Sequence, residues 1–478
     1  MNSLLTFERI RQISGGVWIA PPNNPSRTLI GGAFDTRSLG DAQIFFAWKG
    51  ENSDGHRYLN QLPGTSVELA VVEREVSAIG DLAILQVPDS LKTLQKIAGR
   101  LAAEFKGKIV SITGSCGKTT AKGWLQHLLS DHLKVLCSAK SFNNRIGCPI
   151  TVLNLDSEHE AIVLEMGTSG RGELELLSSL FPADVSVLLN VGHAHLGKFG
   201  SRNEIYRAKT EIFKHSRQGA KFLIPFRDKK IEKFMPSVPY RYFGKDAPEF
   251  SWESNEIDSK RLRQLLTFRT PEGPRTVWVD QLGEHVGKIL SALIAVCYFL
   301  GIPWDQFSHR LERLPQEKGR SVVIEGLNRV RILNDVYNAN PESVVNMLKT
   351  LCLLDADRYV GVVGNLAEMD DDLAVSADVI VEQIPPKLTH LILTGETGKI
   401  LHRLIEKRYP KLASVYASSP EETIDRAKRF CDRKTAIGVK GSRSAHMERV
   451  VRALCGEKVS CGLAVCGLLT NCTDCEKM

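Results

Sequence analysis

No stretch of this 478-residue chain stays apolar for long enough to cross a bilayer. The most apolar run, "ILSALIAVCYFLGIPW", ends at a glycine and a proline, short of the about 20 residues a membrane helix needs. It reads as a buried helix. The opening "MNSLLTFERIRQISGG" carries Glu8, Arg9 and Arg11 where a secretion signal needs an unbroken apolar segment. No disulfide framework is visible. Eleven cysteines are scattered, and Cys455, Cys461, Cys466, Cys472 and Cys475 crowd the end. The final "CTDC" has the spacing of half a zinc site, but without a clear second pair it reads as a tail of reduced thiols. A cytoplasmic location is expected, since thiols stay reduced there. No long Lys/Arg block or aromatic-basic repeat points to nucleic acid. The net charge of +7 is mild and suits anionic small substrates such as nucleotides. An Asn-Lys-x-Asp guanine signature is missing, as is any Ser-His-Asp or Cys-His set, which disfavours a GTPase and a protein nucleophile.

What is present describes an ordinary globular chain, 43% hydrophobic and 24% charged. Its length exceeds one core, so two to four domains are expected. Residues 1–105 hold short strand-like runs ("SVELAVVERE", "LAILQVP") broken by Gly, Asp and Pro. From 106 to 316 apolar runs ("KIVSIT", "AIVLEMG", "VSVLLNVG", "KFLIPF") alternate with helical patterns, the sign of a parallel sheet covered by helices. Residues 317–455 repeat the alternation with "RVRILNDVYN", "RYVGVVGN", "THLILTG" and "TAIGVKGS". Helical stretches such as "PESVVNMLKTLCLL" and "HMERVVRALC" lie between them. Residues 456–478 form the cysteine-rich tail. The polar "PQEKGRS" between the second and third blocks is a hinge candidate. The predicted fold is therefore α/β, with two doubly wound domains after a smaller leading one.

"SITGSCGKTTAKGW" carries the most specific chemistry. A strand end, a glycine turn and a helix start place Gly114, Ser115, Cys116, Gly117, Lys118, Thr119 and Thr120 where backbone N–H groups and a helix terminus can hold phosphates. Lys118 would neutralise the outer phosphates and Thr119 would offer its hydroxyl to Mg²⁺. The longer phosphate-loop spacing would need glycine at position 112, which is Ile112 here, so the loop is a compact G-x-x-G-K-T-T. It names a nucleotide, not a reaction.

Three downstream segments could supply a metal site. Glu165 ends the apolar strand of "VLEMG", where open α/β sheets bind ligands. His193 and His195 follow another strand in "LNVGHAHLGKFGS", and Lys209 sits at a helix start in "RAKTEIF". Taken singly the histidines and the lysine read as structural or surface groups. Their occurrence together behind one phosphate loop raises them.

The order of motifs resembles the Mur ligases over about residues 30–455. "FDTRSLGDAQIFFAWKGENSDGHRYL" is similar to the family's UDP-sugar segment. "TGSCGKTT", "SFNNRIGCPITVLNL", "EMGTSGRGELELL", "NVGHAHLGKFGS", "RAKTEIF", "GRS", "DVYNANPES" and "VKGSRSAHMERVV" follow in the family's order. "YNANP" and "KGSRS" resemble the members that use D-alanyl-D-alanine. The resemblance implies an N-terminal UDP-binding domain, a central ATP-binding domain and a Rossmann-like C-terminal domain. It implies ATP-driven joining of D-alanyl-D-alanine to UDP-N-acetylmuramoyl-tripeptide through an acyl phosphate, by a monomer that neither binds nucleic acid nor inserts in membranes.

Site roles follow from the same resemblance. Lys118, Glu165, His195 and Lys209 would be catalytic. Thr119, Glu165, His195 and Lys209, the last carbamylated by CO₂, would hold two Mg²⁺ ions. ATP would also meet Asn144, His285, Arg320 and Asn338. Asp35, Thr36, Arg37, Lys49, Gly50, Asn340, Lys440, Ser442 and Arg443 would hold the other substrates.

The chain departs from the family pattern at Arg145 (usually Glu), at Val286 and Ile289 (usually asparagines, one facing adenine), and at Asn365 and Met369 (usually Asp and Gly). One lost hydrogen bond costs about 0.5–1.5 kcal/mol, at most roughly tenfold in affinity, so a divergent working enzyme is expected. The alternatives are a folylpolyglutamate-type ligase, disfavoured by the UDP segment, and a catalytically silent nucleotide-binding relative.

Overall fold

The computed structural model describes residues 5–51, 53–139, 141–192, 199–366 and 373–462. It contains three sheets with helices on their faces and one small antiparallel sheet. The first sheet has five strands in the order Val17–Ala20, Ala83–Gln86, Leu69–Val72, Ile44–Phe46 and Gly32–Ala33. Only its edge strand, Val17–Ala20, runs antiparallel to its neighbour. The helix Ser90–Glu104, capped by the Asp89 carboxylate on the Lys92 N–H, leads out of this sheet. It packs on the helices Gly147–Val152 and Glu173–Leu180 of the next. Ile97, Leu101 and Phe105 therefore share one core with Ile162, Leu174 and Phe181.

The second sheet is parallel throughout, in the order Arg241–Phe243, Ser216–Pro225, Ala183–Leu188, Lys108–Thr113, Ala161–Glu165 and Val135–Cys137. Its central strands are buried on both faces, which is why they read as continuous apolar runs. The expected buried helix is Glu284–Phe299, whose Val286, Leu290, Leu293 and Val296 join the core under the phosphate loop. A three-stranded antiparallel sheet, Ser251–Asp258, Arg263–Thr270 and Gly273–Val279, covers the start of this helix. No apolar run in the sequence marks it as a sheet. Its outer face is polar, as in "ESNEID", which hides a one-sided strand. The Trp252 ring lies so close over Gly287 that a Cβ there would stand 2.2 Å from it.

The third sheet runs Val322–Glu325, Arg331–Asp335, Thr435–Lys440, Arg358–Val363, His390–Thr394 and Ala413–Ala417, parallel except for its first strand. The helix Pro341–Leu351 starts cleanly: Asn340 accepts from the Ser343 N–H, the Ser343 hydroxyl accepts from the Asn340 N–H, and proline takes the first position. In "PQEKGRS" the backbone turns with positive φ at Gly319 (77°) and Ser321 (52°).

In the first unit, Asp54 ties down the "DGH" segment. Its carboxylate accepts from the His56 N–H at 3.0 Å, from the His56 ring at 2.7 Å and from Arg74 at 2.9 Å. The other ring nitrogen of His56 accepts the Glu73 N–H at 3.0 Å, so the imidazole is bonded at both ends. Burial opposes the Asp54 charge, but the bonds from His56 and Arg74 prevail and hold its carboxyl down to about 2. A depressed carboxylate stabilises the fold above its unfolded value of about 3.9 and ceases to as pH falls through about 2. We expect the urea midpoint to drop between pH 4 and 2. Asp54→Ala, which strands His56 and Arg74, should cost about 2 kcal/mol at pH 7 and flatten that dependence.

Candidate functional site

The strand Lys108–Thr113 is central in its sheet, so its C-terminal end opens between two neighbours. From there the loop turns into the helix Lys118–Leu129. Gly117 adopts φ 81° at its start, and no side chain caps the terminus. The first N–H groups of a helix have no partner within it, so this end is built to receive an anion. Gly117 is required twice over: for its φ, and because Ile289 lies 3.1 Å from the place of a Cβ.

The neighbouring strand fixes the loop. Asn190, just past the strand Ala183–Leu188, accepts the N–H groups of Ser115 and Cys116 at 3.0 and 2.9 Å and donates to the Cys116 carbonyl at 3.0 Å. The Ser115 hydroxyl accepts the Gly192 N–H at 2.8 Å. Lys118 donates to the Gly114 carbonyl at 2.7 Å, folded back on its own loop. Nothing in the sequence alone marks Asn190 as part of the loop. Its only signal was its place at the end of an apolar run, which becomes a contact once the two strands are adjacent.

A cleft of about 1230 Å³ opens over the loop. Ser115, Cys116, Gly117, Lys118, Thr119 and Thr120 line it, with Asn144, Glu165, His285, Arg320, Asn338, Asn340 and Lys440. Residues of the second and third units thus face one space, with Thr119 and Glu165 the described members of the expected metal set among them. Contacts across the "PQEKGRS" seam close it. Arg320 donates to the Thr119 hydroxyl at 3.0 Å, pairs with Glu317 at 2.8 Å and stacks 4.0 Å from the Tyr337 ring centroid. The Tyr337 and Ser141 hydroxyls are 2.9 Å apart, and the Asn340 amide lies 3.1 Å from the Cys116 sulfur. Burial pushes the Cys116 thiol up, reinforced by Glu342, so it stays a neutral thiol. Burial likewise lowers His285, against the pull of Asp335, which keeps that imidazole neutral.

Glu165 is 1% exposed. One of its oxygens accepts from Asn143 at 2.7 Å; the other has no hydrogen-bond partner and lies 3.8 Å from the Lys122 ammonium. That orphaned oxygen and the Thr119 hydroxyl, on the same cleft, are hard donors that fit Mg²⁺. Among the described residues no group of three or more His, Cys, Asp or Glu gathers into a metal cage. Mg²⁺ tolerates this, because it commonly takes one or two carboxylates and completes its shell with phosphates and water.

Several expected roles need correction. Lys440 is 2% exposed, and its three donors go to the Asp335 carboxylate at 2.6 Å and to the Asp335 and Asn338 carbonyls at 3.2 and 2.8 Å. None remains for a substrate; it holds the "DVYN" loop in place. Asn340 is used as a helix cap. Ser442 is fully buried, and Arg443 pairs with Glu448 at 3.2 Å; neither lines the cleft. The Asn144 side chain accepts the Ile146 and Gly147 N–H groups, so a nucleotide would meet its remaining donors.

Lys209 is 2% exposed and absent from the cleft wall, so its carbamylation draws no support. His193, His195 and Met369 lie outside the described residues, as do Cys466, Cys472 and Cys475. Val286 and Ile289 are 0% and 7% exposed; they pack beneath the loop, so these departures are core residues in this chain. Asn365 accepts the Thr397 N–H at 3.1 Å, a structural bond.

Asp35, Thr36, Arg37, Lys49 and Gly50 lie apart from the cleft, on the first unit. Arg37 pairs with Asp35 through two bonds at 2.9 and 2.7 Å, and Thr36 donates to Gln61 at 2.9 Å. Phe34 and Trp48 stack beside them, centroids 5.5 Å apart, with Phe34 37% exposed. An aromatic pair with one open face beside cations suits a nucleoside diphosphate.

The Mur ligase middle domain model matches residues 112–297, and the Mur ligase, glutamate ligase domain model matches 319–443. The chain is 28% identical to UDP-N-acetylmuramoyl-tripeptide--D-alanyl-D-alanine ligase of Bacillus subtilis, over 94% of this chain and 98% of that one. In structure it is similar to MurF from Acinetobacter baumannii (TM-score 0.83, 26% identity, 95% and 99% covered). It is also similar to MurF ligase from Thermotoga maritima in complex with ADP (TM-score 0.77, 26% identity, 90% and 98% covered).

Asn190→Ala should strand the Cys116 N–H and carbonyl, leave the Ser115 N–H on the residue-190 backbone carbonyl alone, and loosen the loop. We expect its Kd for ADP to rise about tenfold or more in calorimetry, with a smaller change in melting temperature.

Proposed function

The chain belongs to the Mur ligase family, and from that premise we propose that it joins D-alanyl-D-alanine to UDP-N-acetylmuramoyl-tripeptide with ATP, in peptidoglycan precursor synthesis. The observation that carries this reading is the cleft itself: a phosphate loop held open by Asn190, closed by Arg320 from the third unit, with Glu165 at its wall.

The chemistry explains the parts. A carboxylate resists attack by an amine because its carbonyl is already electron-rich. Transfer of the γ-phosphoryl group from ATP to a carboxylate oxygen of the tripeptide releases ADP and gives an acyl phosphate. The amine of D-alanyl-D-alanine then attacks that carbonyl, the C–O bond to phosphate breaks, and inorganic phosphate leaves as the nitrogen loses a proton. The loop N–H groups at the head of the helix Lys118–Leu129 bind the phosphates. Lys118 leaves the Gly114 carbonyl to meet the negative charge that builds on the moving group. Arg320, already at the Thr119 hydroxyl, adds a second cation from across the seam. Mg²⁺, held by Thr119 and Glu165, would screen the outer phosphates. A second ion at His195 and a carbamate on Lys209 enter no step. Asp35, Arg37 and Lys49, with the Phe34–Trp48 stack, support UDP binding on the first unit.

ATP and a UDP-linked acceptor put this work in the cytoplasm. Among the described residues no helix is long and apolar enough to cross a membrane. Every group named comes from one chain, so the reading asks for no second copy.

The test is phosphate release with ATP, Mg²⁺, UDP-N-acetylmuramoyl-tripeptide and D-alanyl-D-alanine, each omitted in turn. We expect release only with all four present, and a loss of at least about 100-fold in kcat for Lys118→Ala. Release that ignores the dipeptide would sink the assignment and leave a nucleotide-binding relative.

A further inference from the structure

The helix Glu284–Phe299 sends Glu284, His285, Lys288 and Ile289 toward the cleft. Most cations there have a protein partner. Lys118 bonds to the Gly114 carbonyl, Arg227 pairs with Asp246 at 3.3 Å, Arg320 with Glu317 and Lys440 with Asp335. Arg145 and Lys245 have none among the described residues, but both are exposed and water solvates them. Lys288 is different. It is half-buried, and its ammonium has neither hydrogen bond nor ion pair among the described residues. Burial pulls it below the ordinary lysine range, and Asp228 offsets that only in part.

A desolvated cation without a partner weakens a fold, so its presence calls for a ligand that compensates it. Two observations place that ligand. Lys288 precedes Ile289, which packs against Gly117 of the phosphate loop, and it lines the same cleft as Cys116 of that loop. It also follows Gly287, on which the Trp252 ring lies. Trp252, Phe226 and Phe243 make this the aromatic side of the cleft, the side that suits a flat base. Lys288 thus stands between the base side and the loop.

We propose that Lys288 is a second phosphate-holding lysine, which takes an oxygen of the nucleotide's inner phosphate while Lys118 takes the outer ones. The assignment rests on the nucleotide reading of the cleft. It gives the residue opposite effects on the free and the bound protein, which no purely structural role would do.

Calorimetry on the full chain in magnesium buffer, with ADP, AMP and adenosine as probes, separates the possibilities. Lys288→Met keeps the length of the side chain and removes the charge. Its Kd should rise about tenfold or more for both ADP and AMP and stay within about twofold for adenosine. The melting temperature of the free protein should rise by about 2 °C. Lys288→Arg should recover ADP affinity to within about threefold. Unchanged ADP affinity in Lys288→Met would overturn the inference, as would a loss that includes adenosine or comes with a lower melting temperature. A loss with ADP but not AMP would overturn the inner-phosphate assignment. Failure of the unaltered protein to bind ADP would overturn the proposed function itself.

Discussion

The helix that begins at Lys118 starts without a side-chain cap, and the organisation of the second unit follows from that exposed end. Uncapped N–H groups carry partial positive charge and a desolvation cost if covered. They are tolerable only where water or an anion can reach them. The parallel sheet supplies that place, because every strand delivers its loop to the same edge. Asn190 then gives the loop its shape by bonding three of its backbone groups. The adjoining strand thereby bears the cost of an open loop, and no side chain has to fill the anion's position.

The third unit matters through the same end. Arg320 and Asn340 reach the loop from beyond Gly319, where the backbone turns sharply, and Tyr337 stacks on Arg320. The residues that bear on catalysis are thus divided between two rigid sheets joined by a short polar segment. Lys440 helps make this division work. By bonding Asp335 and Asn338 it stiffens the loop that carries Tyr337 and leads to Asn340, so movement at the seam would shift those groups together. A phosphoryl transfer that must exclude water gains from such closure.

Much of this was legible in the sequence for reasons that are physical. Strands buried on both faces appear as apolar runs, so "AIVLEMG" and "VSVLLNVG" gave themselves away, and a phosphate loop is contiguous, so its residues are read together. What failed to show depends on partners remote in sequence. Asn190 meets the loop from 75 positions away. Lys440 and Asn340 were read as substrate groups because polarity does not say which neighbour satisfies it. Val286 and Ile289 read as missing contacts, although burial makes them part of the core. The sheet Ser251–Val279 was hidden because one side of it faces water.

The lysines show how far burial alone can mislead. Lys122 and Lys440 are both nearly inaccessible, yet Lys122 donates to the Ser138 carbonyl at 2.7 Å beside Glu165, and Lys440 has three acceptors. Their charges are compensated within the fold, so removing one would leave an acid or carbonyl stranded. Lys288 is less buried and poorer in partners. What separates a structural lysine from a binding one is therefore the match between its donors and the acceptors around it. By that measure the fold uses its cations in two ways on one cleft. Lysines whose donors all meet protein acceptors set the walls, and a lysine without them leaves a positive field that only a bound anion can balance. A nucleotide entering this cleft would bind to charges the protein has left uncompensated, and its binding energy would come from relieving them.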